Sequence, residues 1–353
     1  MMSSISRSIP SSAPPRPPPP HYQTFLTPVL HRRFAKACSV GFIACYVEAF
    51  VISNKSSFFW AIFPLGWTGL QAIILFLLSV LPVLILRISQ LHVGARSHAT
   101  VFHAMKAYIG SFSTYSTFLT HSFASLVFVL LYLWSGSKED RLSFIIEGKS
   151  YERPRLNERY LYLIFFACYT GFIQAALHLY EDRGRLQLPH LYVWPTEDEP
   201  TSVPDAKSLQ LSPKAAFKKK MIDVPSGAFY MALVSACTAP FAYIPFRGII
   251  WHYTLVTAKT FFWLNRSSTL PSFPVGAGMF IRSLWLSFLI GTMWQITNLA
   301  FDIYFTQMPL TADGKTVSEK SPDPNGTLVT GLKASQAPLT QVFSYTASLM
   351  NVC

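Results

Sequence analysis

The sequence predicts an all-α integral membrane protein, a bundle of six transmembrane helices plus a lumenal interfacial helix. Three observations predict it. Charged residues make up only 13% of the 353 residues, about half the share of a soluble domain. Hydrophobic residues make up 51% and aromatics 15%, so much of the surface faces lipid rather than water. Six continuous apolar runs follow one another, each near the roughly 20 residues that one helical crossing needs. Backbone in hydrocarbon must satisfy its own hydrogen bonds, which makes these runs helices. A β-barrel would need short strands of alternating character, and the runs are unbroken.

Taken in order, residues 1–30 are rich in Ser and Pro, with a proline run at 14–20 interrupted only by Arg16. Such a segment buries no core and is read as a disordered cytoplasmic tail. Residues 31–305 form the six-span domain, with spans at about 34–53, 69–86, 113–134, 160–180, 226–246 and 275–305. Pro82 and Pro240 are expected to kink their helices. Trp60, Trp67, Trp134, Tyr160, Tyr180, Trp251 and Tyr304 sit near span ends, where amphipathic rings prefer the headgroup zone. Span six is longer than one crossing, which suggests tilt or a lead-in over 276–282. The stretch 249–264, IIWHYTLVTAKTFFWL, is short for a span and reads as an interfacial helix on the lumenal leaflet. A spanning role for it would instead move the tail to the lumen. The loop 181–225 reads as a flexible linker ending in Lys218, Lys219 and Lys220. That cluster attracts anionic headgroups at about 1 kcal/mol per residue, or serves only as a topology signal. Residues 306–353 form a second cytoplasmic tail, weakly amphipathic over 339–350.

Charge sets the orientation. There are 29 Lys and Arg against 17 Asp and Glu. With the N-terminus in the cytoplasm, 18 Lys and Arg fall on inside segments and 10 on outside ones, so both termini are expected inside. The sequons at Asn54 and Asn265 then lie outside, and Asn265 is a glycosylation candidate; the sequon at Asn325 lies inside. The basic residues sit between apolar runs, without a basic helix or aromatic reader, so no direct nucleic-acid partner is expected. Five cysteines without a CxxC pair give no disulfide framework.

Nothing in the chain matches a known reaction centre. HExxH, GxSxG, a Walker loop and a helix-opening GxGxxG are all missing, so no catalytic residue, cofactor or metal is expected. His92, His98 and His103 are not spaced to share a helix face. The run from His178 to Asp182 has the composition of an acyl-transfer pair, but a polar helix end accounts for it better. Glu48 in span one and Arg282 in span six fall at similar depth, which leaves two readings: an intramembrane ion pair, or two side chains that each snorkel to the interface. Gln174, Gln295 and Asn298 are candidates for interhelical hydrogen bonds.

Small residues recur every four positions: Ala37, Gly41 and Cys45; Ser116, Thr120 and Ala124; Ala167, Gly171 and Ala175; Ala228, Ala232 and Ala236; Ser283, Ser287 and Gly291. Such ridges let helix backbones approach closely. They favour a packed anchor over the alternative of a small multi-span transporter or channel, which would want ionisable groups near the midplane and broken helices.

Several stretches have a family look. They are LTPVLHRRF at 26–34, with His31, Arg32 and Arg33; FWAIFPLG at 59–66, with Pro64 and Gly66; LRISQLHVG at 86–94, with Arg87, Gln90, His92 and Gly94; LHLYED at 177–182, with His178 and Asp182; and IPFR at 244–247. In this order they resemble the fungal nuclear-division-cycle family of transmembrane nucleoporins, over roughly residues 25–335. The resemblance implies six spans in the pore membrane of the nuclear envelope with both termini outside the lumen. It implies a role in nuclear pore complex assembly and anchoring, and in fungi in spindle pole body insertion. Implied partners are other membrane nucleoporins and soluble linker nucleoporins. Family members continue into a large cytoplasmic half after span six, so a truncated tail is expected here.

Overall fold

Among the described residues, six helices are long and apolar enough to cross a membrane. The structure, a computed structural model, describes residues 21–53, 66–92, 100–136, 142–146, 155–186, 213–262, 271–306, 317–334 and 338–352. The chain divides into two units, Val29–Gln307 and a smaller one that joins Met1–Pro28 to Met308–Cys353.

In the larger unit, helix α1 (Tyr22–Ile52) provides the first crossing. Helix α2 (Trp67–Ser89) provides the second. It widens into a π-turn at Phe76–Val80, where the Leu81 amide donates five residues back to the Phe76 carbonyl. Pro82 explains the position: it has no N–H, and its ring crowds the preceding turn. The short helix α3 (Val101–Ile109) is capped by the Thr100 hydroxyl, which accepts from His103 N. Helix α4 (Phe112–Ser135) is the third crossing. The two-residue strands β1 (Ile145–Ile146) and β2 (Arg155–Leu156) then pair antiparallel. Helix α5 (Glu158–Tyr180) is the fourth crossing, capped by the Asn157 side chain.

Helix α6 (Pro213–Met221) precedes helix α7 (Val224–Phe262), which is a single helix of 39 residues. This changes two boundaries. The stretch 249–264 is, to residue 262, continuous with the helix of the fifth crossing rather than a separate helix. The end of the 181–225 linker is helical. A charge rarely interrupts a span, yet Arg247 is held by Glu158 from α5, so the helix runs on. Helix α8 (Ala277–Phe305) is the sixth crossing and widens into a second π-turn at Phe301–Phe305.

The smaller unit is built from a 3-10 turn (Val317–Lys320), helix α9 (Pro324–Leu332), helix α10 (Pro338–Val352) and the first turns of α1. Tyr22 and Leu26 are buried. The Tyr22 amide donates to Thr330 Oγ1 at 3.1 Å, and Ser344 Oγ donates to the Leu328 carbonyl at 2.6 Å. The expected tail therefore ends sooner than residue 30, because helix begins at Tyr22, and the 306–353 segment carries ordered helices.

Candidate functional site

Four helix ends meet at one end of the bundle: the end of α2, the start of α4, the end of α5 and the end of α8. Arg87, in the last turn of α2, is their centre. Its side chain is only 2% exposed, so it needs partners for nearly all its donors. Nη1 donates to the Asn298 side-chain oxygen at 3.0 Å and to the Asn298 carbonyl at 3.3 Å. Nη2 donates to Asp302 Oδ1 at 2.8 Å and to the Arg183 carbonyl at 2.7 Å. The guanidinium also lies over the Phe301 ring, 4.5 Å from its centroid. The Asn298 carbonyl accepts from the Phe301 amide as well, at the point where α8 passes into its π-turn. One rigid fork thus ties α2 to α8 and to the loop after α5, a task for which Lys lacks the geometry.

A second set of bonds joins the chain just beyond α2 to the chain just beyond α5. The His92 amide donates to the Gly184 carbonyl at 3.0 Å, and the Leu186 amide donates to the His92 carbonyl at 2.9 Å. His92 Nε2 lies 3.2 Å from the Asp182 carboxylate, and Nδ1 lies 2.9 Å from the Gln90 carbonyl. Gln90 Nε2 donates to Thr117 Oγ1 at 2.7 Å and to the Ser113 carbonyl at 3.1 Å, which brings in α4. Gly184 is required where it stands: a Cβ there would lie 2.7 Å from the Gln90 carbonyl oxygen. Asp182 adopts φ 46°, a left-handed conformation that Asp tolerates better than most residues.

Inside this ring, the His178 and His121 rings lie 5.3 Å apart, and Trp294 from α8 is 6.3 Å from His121. Arg183 covers Trp294 at 4.7 Å. All of these rings pack between helices rather than facing a chamber. Where α2, α4, α5 and α8 meet deeper in the bundle, a void lined by Ser79, Gln174 and Trp294 has a volume of about 10 Å³, barely the space of one water.

The opposite end carries its own clamp. Arg247 of α7 makes a bidentate pair with the buried Glu158 at the start of α5, Nη2 to Oε2 at 3.0 Å, and also donates to the Pro271 carbonyl. Leu156, Leu161, Trp251 and Ala258 form a small apolar core beside it.

Of the residues singled out in the sequence, Arg87, Gln90, His92, His178 and Asp182 come together in the first cluster, although about 90 residues separate its two motifs in the chain. His31 and Arg32 lie exposed on α1 and Arg33 is half-buried. Gly66 caps the start of α2. Pro64, Gly94 and Asn265 lie outside the described residues. Lys218, Lys219 and Lys220 are exposed on α6. The structure does not bring Glu48 to Arg282. Glu48 is buried and accepts from Thr292 Oγ1 at 2.7 Å, and Thr292 lies nearly three turns along α8 from Arg282. Ten residues of helix separate the two levels by about 15 Å, so the depth match expected from the span positions does not hold.

The glycines of three small-residue ridges lie against a neighbouring helix. A Cβ on Gly171 would fall 2.4 Å from the Ser122 Cα of α4, so Ala167, Gly171 and Ala175 let α5 lie directly on α4. Gly291 faces Ala228 and Met231, which places Ser283, Ser287 and Gly291 beside the ridge of Ala228 and Ala232. Gly41, four residues from the buried Ala37, faces Val80. Sequence reasoning missed Asp302 and Arg183. Asp302 carried a readable signal, a carboxylate within the last turns of a span.

Comparison with known proteins bears on the same region. The family described as "Nucleoporin protein Ndc1-Nup" matches residues 28–347. The chain is 29% identical over 315 residues to Nucleoporin NDC1 of Chaetomium thermophilum, covering 88% of this chain and 48% of that protein. It is 24% identical over 327 residues to the nuclear envelope protein ndc1 of Schizosaccharomyces pombe, covering 91% of this chain and 50% of that one. It therefore spans about half the length of the curated relatives it matches. The match runs through all six crossings and both clamps, and the chain belongs to the Ndc1-Nup family of nucleoporins.

Proposed function

We propose that the chain is a nonenzymatic membrane anchor of the nuclear pore complex, seated in the pore membrane of the nuclear envelope. One observation carries this reading beside the family membership. Arg87, Gln90, His92 and Asp182, which the sequence marks as distinctive, each bond within the protein across four helix ends, and the void deeper in the bundle holds no more than about a single water. That arrangement fixes the relative positions of helices. The side chains of the cluster are spent on one another and on backbone carbonyls, which suits an anchor.

The anchor's clamp end, where α2, α5 and α8 finish, faces the cytoplasm or nucleoplasm, since it carries the larger share of Lys and Arg. Partners there are other membrane nucleoporins and soluble linker nucleoporins, and the role extends to pore assembly and to spindle pole body insertion in fungi. Anionic lipid is a further partner. Phe217 packs on Tyr304, ring centroids 6.0 Å apart, and Lys218, Lys219 and Lys220 beside it are exposed, just before the fifth crossing begins. Changing all three to Gln is expected to weaken recovery with anionic nanodiscs relative to neutral ones, measured by lipid co-purification.

The direct test is the location of a fluorescently tagged chain in fungal cells, together with its rescue of a strain depleted of the native protein. A punctate nuclear rim is expected. Uniform reticular or plasma-membrane fluorescence contradicts the proposal.

A further inference from the structure

Helix α7 is too long for its span. Its 39 residues extend about 58 Å at 1.5 Å per residue. The hydrocarbon core is about 30 Å thick, and even a tilt of about 40°, the upper end of the usual range, uses only about 39 Å of helix. Roughly 20 Å is left over. The Arg247 clamp shows which part is in excess. It joins α7 to the first residue of α5, the level at which a neighbouring crossing begins. Residues 248–262 continue past that level for about 22 Å.

The surface of this extension is divided into three faces. Trp251, Leu255 and Ala258 are buried, and Trp251 and Ala258 pack with Leu156 and Leu161, with Phe144, Ile145 and Tyr160 beside them. That contact fixes the roll of the helix. Ile249, Tyr253 and Val256 are 57%, 70% and 50% exposed and, at i, i+4 and i+7, form one stripe. His252 and Lys259, also exposed and seven residues apart, line a polar edge next to that stripe.

We propose that residues 248–262 lie in the membrane interface at the end opposite the Arg87 cluster, with Ile249, Tyr253 and Val256 inserted among the acyl chains and His252 and Lys259 at the headgroups. The partner is the leaflet itself. Three features select it over water and over a second protein. The apolar stripe is continuous with a helix whose outer face, Phe241 and Ile244 included, already meets lipid. The polar edge runs alongside the stripe, as an interfacial helix requires. Pro240 and Pro245 remove two intrahelical donors just before the extension, so this is where the helix bends out of the span direction at least cost. The strand pair and Tyr160 then brace the buried side, making the extension a fixed wedge in one leaflet. The inference does not rest on the nucleoporin reading.

Spin labels test it in the full chain reconstituted in nanodiscs, with the five native cysteines replaced. Labels at Tyr253→Cys and Val256→Cys are compared with Ile244→Cys within the span and Lys259→Cys on the polar edge. Molecular oxygen and a water-soluble nickel chelate serve as relaxation agents. The labels at 253 and 256 are expected to favour oxygen, at a depth shallower than 244, while the label at 259 favours the chelate. Preference for the chelate at both 253 and 256 overturns the proposal by placing the stripe in water. Immobilised labels with dipolar coupling between copies overturn it in favour of a protein interface. Ile249→Cys provides a third position on the stripe should either variant fail to reconstitute.

Discussion

Asp182 shows how much a single residue does in the Arg87 cluster. It turns the chain at φ 46° after α5 and holds His92 through its carboxylate. Asp182→Asn keeps both a side-chain acceptor and a residue that tolerates left-handed backbone. It is expected to cost little in thermal unfolding. Asp182→Val loses the acceptor and adds about 1–2 kcal/mol of backbone strain, so its midpoint should fall clearly below that of Asp182→Asn. Glu48 gives a second residue-scale prediction. Its bond comes from Thr292, which Gln accepts equally well, so Glu48→Gln should unfold at nearly the wild-type temperature. Exchanging the charges, Glu48→Arg with Arg282→Glu, should not recover stability lost in Glu48→Arg alone. Recovery would restore the ion pair expected from depth.

At the scale of elements, close packing is decided by where glycines sit. At Gly171 the obstacle to a side chain is backbone: the Ser122 Cα at 2.4 Å and the His121 carbonyl oxygen at 2.5 Å. At Gly291 the nearest atom is the flexible tip of Met231, at 2.8 Å. Gly171→Ala must push α4 and α5 apart and is expected to lose about 1–3 kcal/mol, while Gly291→Ala loses less than 1 because Met231 can turn away. Equal losses, measured by unfolding in one detergent, would contradict the assigned contacts. These ridges were legible in the sequence because four-residue spacing marks one helix face whatever the partner. The six crossings were legible because bilayer thickness sets a minimum apolar length. The continuity of α7 was not, since Arg247 counts as a boundary until Glu158 is known to meet it. Nor was the helix at 22–30, whose stabilising contacts with Thr330 and Gly331 come from the far end of the chain.

For the whole molecule, the crossings alternate so that Gln90 and His92 of one family-like stretch and Asp182 of another emerge at one end and bond there, while Arg247 of a third lies at the opposite end. The sequence showed the first two as stretches about 90 residues apart. Their convergence depends on helix azimuth and on the π-turn at the end of α8, neither of which leaves a simple pattern in the residues. The central claim is that this convergence holds the crossings in place and performs no chemistry. Thermal unfolding of Arg87→Ala in the same membrane mimetic as the wild type tests it most directly. Removing the guanidinium leaves the Asn298 side chain and the Arg183 carbonyl without their donor, while Asp302, 43% exposed, can turn to solvent; a loss of about 1–3 kcal/mol is predicted, as for other buried polar groups left unsatisfied. Arg87→Lys should fall between the two, since a single ammonium cannot replace a fork. An Arg87→Ala chain that unfolds with the wild type would contradict the account.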